Sequence, residues 1–228
     1  MMEFFTNHMS QAPRLDMTTH LFLFLVLLLL VCFSFRLSHK SWYKSLFWWL
    51  QFLQVASLYT WYVIMAFPLS ESLPFYHCRL AMLFILWGKP GRLKRYFAYL
   101  GLFGSLAAFV YPVLDPFAFP HITFFTFVIG HYALAVNCIV YLISDRQLKI
   151  LDIQDVVTYT VAMNGFMVVV NYIFGGNYGF LSQTPLFNSK NIAFNFLLVT
   201  GGLTFTILFV QSVIFSYLKS RKWKWIRD

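Results

Sequence analysis

Residues 21–35 read LFLFLVLLLLVCFSF, an uninterrupted apolar run that Arg36 closes. A bilayer core takes ~20 such residues in helical form, and extending the run back to Thr19 predicts a membrane helix over 19–35. Glu3 and Asp16 precede it in place of the basic segment of a signal peptide, and no small-residue cleavage motif follows. The run is therefore expected to stay as a permanent helix.

The same character continues along the chain. Of its 228 residues, 60% are hydrophobic and 11% charged, against about 25% charged in a soluble domain, and the mean hydropathy is +0.68. Apolar runs between charge clusters predict further spans over 45–66, 73–88, 96–114, 122–144, 155–176 and 193–218. The third is the shortest and reaches only ~24 Å at 1.5 Å per residue, so it either starts earlier than drawn or lies where the protein thins the membrane. Seven crossings with short loops leave no length for a soluble domain. The expected fold is all-α: a single seven-helix, polytopic membrane domain over 1–228, with 1–18 as an N-terminal segment outside and 219–228 as a basic tail.

The net charge of +9 is explained by where it falls. Alternate loops hold Arg36, Lys40 and Lys44; Lys89, Arg92, Lys94 and Arg95; Arg146 and Lys149; and the tail Lys219, Arg221, Lys222, Lys224 and Arg227, which is 14 of the 17 basic residues. The other side keeps Arg14 and Lys190, with Arg79 inside a span. Basic loops mark the cytoplasmic side, so the pattern predicts an outside N-terminus, a cytoplasmic C-terminus and a bacterial-type plasma membrane. Lys222-Trp223-Lys224-Trp225 suits an anionic lipid surface, and nucleic acid is not an expected partner. Cys32, Cys78 and Cys138 lie in apolar runs without metal-ligand spacing, so no metal, cofactor or disulfide framework is expected.

Ionisable residues within spans are costly and mark candidate sites. His77, Cys78 and Arg79 fall in the third span, His131 in the fifth and Asn164 and Asn171 in the sixth, while Asp115 closes the outer end of the fourth. Cys78 is expected ~7 Å and His131 ~14 Å below the outer boundary, and Asn171 returns to the same half of the bilayer. A thiol, an imidazole and an amide on three helices suggest a nucleophile, its base and an orienting or oxyanion-binding group, the last being Asn171 or Asp115. Arg79 projects about 100° away from Cys78 around the helix and is read as the partner of a lipid phosphate or of an acidic side chain. Packing is the competing reading for each: cysteines fill small gaps, asparagines join membrane helices and Asp115 before Pro116 caps a turn. His20 and His121 read as interfacial residues.

Leu73-Pro74-x-x-x-Cys78 at the head of a helix, His131 two helices later, and Asn171-Tyr172-x-x-x-Gly176-Asn177-Tyr178-x-Phe180-Leu181 form a recognisable set. With it the chain resembles the YwaF-like membrane protein family, which takes in the animal transmembrane protein 164 acyltransferase, from His20 to the last helix. It departs from the family pattern at Tyr76 and Gly130. The resemblance implies a lipid acyltransferase or transacylase in which Cys78 carries a fatty acyl group as a thioester and His131 activates it. Arg79, Asp115, His77, Asn171, Tyr178 and His20 would surround them, and membrane phospholipids or lysolipids would be the partners. The alternative expectation is a non-enzymatic transporter or lipid-binding membrane factor.

Overall fold

The computed structural model describes residues 4–144, 150–185 and 187–225, the last five by backbone alone. Among them are eight α-helices and no strand: α1 (Met17–Leu37), α2 (Ser41–Ile64), α3 (Leu69–Ser72), α4 (His77–Trp87), α5 (Arg92–Val110), α6 (Ile122–Ser144), α7 (Ile153–Phe174) and α8 (Ile192–Trp225). A 3₁₀ turn, Tyr178–Phe180, lies between α7 and α8. Four segments are long and apolar enough to cross a membrane: α1, α6, α7 and Ile192–Ser220 of α8. Arg146, Lys149 and Arg227, like the side chains of Arg221, Lys222, Trp223, Lys224 and Trp225, lie outside the described residues.

Local chemistry sets the helix ends. The Asp16 carboxylate accepts from the amides of Thr18 and Thr19, each at 3.1 Å, and so caps α1. Hydrogen bonding from the Thr19 side chain, joined by these amides, holds the Asp16 carboxyl below its ordinary value. Proline moves the ends of α4 and α5. The expected third span, 73–88, contracts to an eleven-residue helix that begins at His77. Leu73 is extended before Pro74 (φ −69°, ψ 151°), because a residue followed by proline is pushed out of the helical region. The preceding residues form the single-turn α3 and a loop. Likewise α5 ends at Val110, short of the expected 114, with Tyr111 non-helical before Pro112.

The core is built on α6, which packs against α2, α5, α1 and α4, while α7 pairs with α8. Residues Ala133 to Ile139 of α6 are buried all round, as befits an apolar helix enclosed by others. One end of the bundle gathers the N-terminal segment and loops 65–76, 111–121 and 175–191. There the carbonyl of Phe4 accepts from the Ile122 amide at 3.1 Å, that of Pro116 from Ser10 at 2.8 Å, and that of Phe5 from the Trp61 indole at 3.0 Å. The other end holds the short turns 38–40 and 88–91 and the one ion pair among the described residues, Arg92–Asp155 at 3.2 Å.

Candidate active site

Cys78 is the second residue of α4, not a position well inside a span, and this changes its chemistry. The first amides of a helix have no intrahelical acceptor. Tyr76 precedes α4 without a side-chain cap, and the first local bond runs from the Leu80 amide to the Tyr76 carbonyl at 3.0 Å. Among the described residues nothing accepts from the amides of His77, Cys78 or Arg79. The thiol thus sits beside three open N–H donors at the positive end of a helix dipole.

Glycines on α5 set the layer in which it lies. A methyl group on Gly101 would stand 2.8 Å from the Cys138 sulfur, 3.0 Å from Leu134 and 3.1 Å from Ala81, so α4, α5 and α6 meet tightly there. One turn outward, a methyl group on Gly104 would stand 2.7 Å from the Cys78 sulfur. Residues three apart share a helix face, so the step from Ala81 to Cys78 on α4 matches the step from Leu134 to His131 on α6. Cys78, Gly104 and His131 therefore belong to one layer. The thiol rests on Gly104, and no hydrogen bond joins it to the imidazole.

The His131 ring is fixed by its own helix. Its Nδ1 lies 2.7 Å from the Phe127 carbonyl, and a carbonyl only accepts, so Nδ1 carries the hydrogen. In the neutral ring Nε2 then holds the free lone pair. Phe127 and Phe109 flank the ring with centroids at 4.6 and 6.3 Å. The orienting group is thus the Phe127 carbonyl, whereas the sequence pointed to Asn171 or Asp115.

Asn171 is committed elsewhere: its amide donates to the Tyr178 carbonyl at 2.9 Å and accepts from the Tyr178 amide at 2.7 Å. The Tyr178 hydroxyl donates to the Leu69 carbonyl at 2.6 Å and accepts from the Leu73 amide at 2.9 Å. A Cβ on Gly176 would fall 2.7 Å from the Ser70 carbonyl oxygen, so only glycine permits this approach. Together they clamp the 175–180 turn onto the loop that delivers Cys78. His77 donates from Nε2 to Asn164 at 2.8 Å, and Asn164 donates to Thr200 at 2.9 Å, which joins α4, α7 and α8. His20 donates to the Phe109 carbonyl at 2.5 Å and satisfies a carbonyl in the last turn of α5.

Arg79 donates to the Glu71 carbonyl at 2.9 Å and to the Tyr62 hydroxyl at 2.5 Å, and lies over the rings of Tyr62 and Tyr76 at 5.2 and 4.9 Å. It is within Coulombic reach of Cys78, His131 and Asp115. Burial raises the Asp115 carboxyl above its ordinary value, with the charges of Arg79 and His121 opposing the shift. His121 donates to the Thr6 carbonyl at 3.0 Å and stacks on Phe117, and burial lowers its imidazole. Among the described residues no cluster of acidic, histidine or cysteine side chains could hold a metal ion.

Sequence reasoning missed Tyr62, Gly104, the Phe127 carbonyl and the open amides of α4. Two of these had a legible signal: Gly104 in the pair Gly101-x-x-Gly104, whose small residues let membrane helices approach, and the start of α4 in Pro74.

Comparison with known proteins agrees with the apolar helices. No curated protein and no solved structure matches the chain. The family model described as the TMEM164 family matches residues 6–218 of the 228. On that match and its apolar helices it is a multi-pass membrane protein, and it belongs to the TMEM164 family.

Proposed function

We propose that this chain is a membrane-embedded acyltransferase acting on phospholipid-like esters through a Cys78 thioester, with His131 as its base. The observation that carries the reading is the position of Cys78. Its thiol stands at an uncapped helix start, in the same layer as an imidazole whose Nε2 lone pair is free. The open amides of Cys78 and Arg79 are donors for the oxyanion that an attacked ester carbonyl becomes.

The steps balance without further reagents. Nε2 of His131 takes the thiol proton as sulfur attacks the ester carbon, and returns it to the departing lysolipid oxygen. The imidazole next takes the proton of an acceptor hydroxyl as that oxygen attacks the thioester. The thiolate leaves and regains the proton. At rest the thiol leans on Gly104, so the sulfur–imidazole contact closes when substrate is bound, a common feature of unliganded sites. Seven segments cross the bilayer in this reading, the third being 73–88 with α4 and the stretch before it, with the N-terminus outside, the basic end in the cytoplasm and the plasma membrane as the location. The site then opens under the outer leaflet, where ester carbonyls lie.

The test is adduct chemistry in membranes. The parent protein, given a fatty-acyl phospholipid, should form a hydroxylamine-sensitive acyl adduct that Cys78→Ser and His131→Ala both lose while remaining folded. An adduct undiminished in Cys78→Ser removes the thiol from its role. A second reading, a passage for lipid or solute, is favoured by a buried polar seam between α2 and α6. Gln51 donates to Gln54 at 3.0 Å, Asn137 to the Phe47 carbonyl at 2.9 Å, and the side-chain Oε1 of Gln51 is buried without a partner among the described residues. Uptake or lipid flip that survives replacement of Cys78 would support it.

A further inference from the structure

Arg79 is the one basic residue that charge alternation leaves inside a span, and sequence offered it either an acidic partner or a lipid phosphate. No carboxylate among the described residues takes it. Glu71 gives Arg79 its backbone carbonyl while its carboxylate accepts from the Tyr76 hydroxyl at 2.9 Å, Asp115 is near without forming an ion pair, and the ion pair among the described residues is formed elsewhere. The guanidinium is held by a carbonyl, a phenol and two ring faces. None of these carries a full negative charge. A guanidinium has five N–H donors, of which these bonds use two, and the side chain is only half-buried. The Tyr59 hydroxyl is buried, with Arg79 as a polar neighbour and no other hydrogen-bond partner among the described residues.

Even a half-buried cation is costly with no anion on it; among the described residues this one has none, and its contacts hold it beside the thiol. We infer that Arg79, with the Tyr59 and Tyr62 hydroxyls, holds the phosphate of the ester substrate and selects phosphate-bearing lipids over neutral glycerides. This rests on the acyl-transfer reading for its substrate but assigns a separate residue to a separate group. Cys78 and Arg79 project about 100° apart around α4, so ester carbonyl and phosphate are received at adjacent but distinct places, as they are borne on one glycerol. The α4 amides serve the carbonyl and the guanidinium serves the phosphate.

Binding in the absence of turnover tests this. In a Cys78→Ser background, native mass spectrometry compares retention of a phosphatidyl lipid and of the diacylglycerol with the same chains. The Cys78→Ser protein should prefer the phosphatidyl lipid about tenfold, the worth of one hydrogen-bonded charge. Adding Arg79→Gln should abolish the preference and Arg79→Lys should keep part of it. Preference undiminished in Arg79→Gln would overturn the assignment, and so would equal loss of both lipids in Arg79→Gln and Arg79→Lys, which marks a purely structural latch. Inorganic phosphate that raises the melting temperature through Arg79, with no lipid preference in the Cys78→Ser protein, would transfer the site to free phosphate and overturn the headgroup assignment. Because Cys78 is already replaced, these results stand whether or not it is the nucleophile.

Discussion

Cys78 and Cys138 make a natural comparison, since both lie in apolar segments and both rest their sulfurs on a glycine of α5, Gly104 and Gly101 respectively. Cys138 sits in mid-helix, fully buried, where every backbone amide is spent within α6 and Leu134 and Ala81 close the layer. Cys78 lies one turn nearer the loops, at a helix start with three open amides, a guanidinium in reach and His131 in its layer. Packing against glycine is common to both. Chemistry is separated from packing by where the helix begins, and Pro74 decides that.

Replacing each thiol tests the contrast most strongly. Cys78→Ser should lower acyl transfer by about 10³-fold or more, the scale seen when one member of a catalytic set is removed. Cys138→Ser should leave the rate within a fewfold of the parent. A rate that falls equally in both would mean that the two sulfurs act through the core and that neither is a nucleophile.

The glycines sharpen it further. An added methyl at Gly104 meets the Cys78 sulfur at 2.7 Å, so Gly104→Ala must move the thiol, and a misplacement of about 1 Å costs on the order of 10²-fold in rate. Gly101→Ala presses on Cys138, Leu134 and Ala81 instead. It should cost about 1–3 kcal/mol of stability as an overpacked core with a much smaller kinetic effect. Unfolding and turnover measured on both variants would show whether the two layers are separable.

Much of this contrast was invisible in the sequence. The long apolar runs announced α1, α6, α7 and α8, because burial in lipid demands unbroken hydrophobicity. Hydropathy placed Cys78 inside a span since Leu73, Pro74, Phe75 and Tyr76 are as apolar as a helix, although proline geometry forbids one there. The Phe127 carbonyl that orients His131 has no sequence signature, being backbone. Tyr62 lies among the aromatic residues of α2, and nothing in its neighbours singles out the one that faces Arg79. Asn171 was legible as a polar residue inside an apolar run, and its partner was not, because a side-chain amide that mimics a strand pairing with Tyr178 is a product of the loop fold.

That amide supplies the next test. Asn171→Ala leaves the Tyr178 amide and carbonyl without their partners, a loss of about 1–3 kcal/mol, and frees the loop that holds the start of α4. Thermal unfolding should fall by that amount and acyl transfer should fall with it. Unchanged turnover in a destabilised Asn171→Ala protein would show that the start of α4 is held without the clamp.

The smallest expected effect concerns Asp115, which is near Arg79 at the end of the bundle that carries Cys78. Burial sets the folded carboxyl above its unfolded value, and Arg79 only partly offsets this. The native state therefore binds the Asp115 proton more tightly than the unfolded chain does. Below about pH 4, the ordinary carboxylate range, both states are protonated and the group is neutral in the balance. As pH rises from there through the folded value, the native state must either hold a proton or bear a buried charge, and stability falls. Asp115→Asn removes that penalty, so the variant should melt higher than the parent at pH 7, with the difference vanishing near pH 4. A variant that melts lower at pH 7 would show that attraction to Arg79 outweighs burial. Arg79 would then be partly neutralised by the protein itself, and the case for a phosphate beside Cys78 would weaken accordingly.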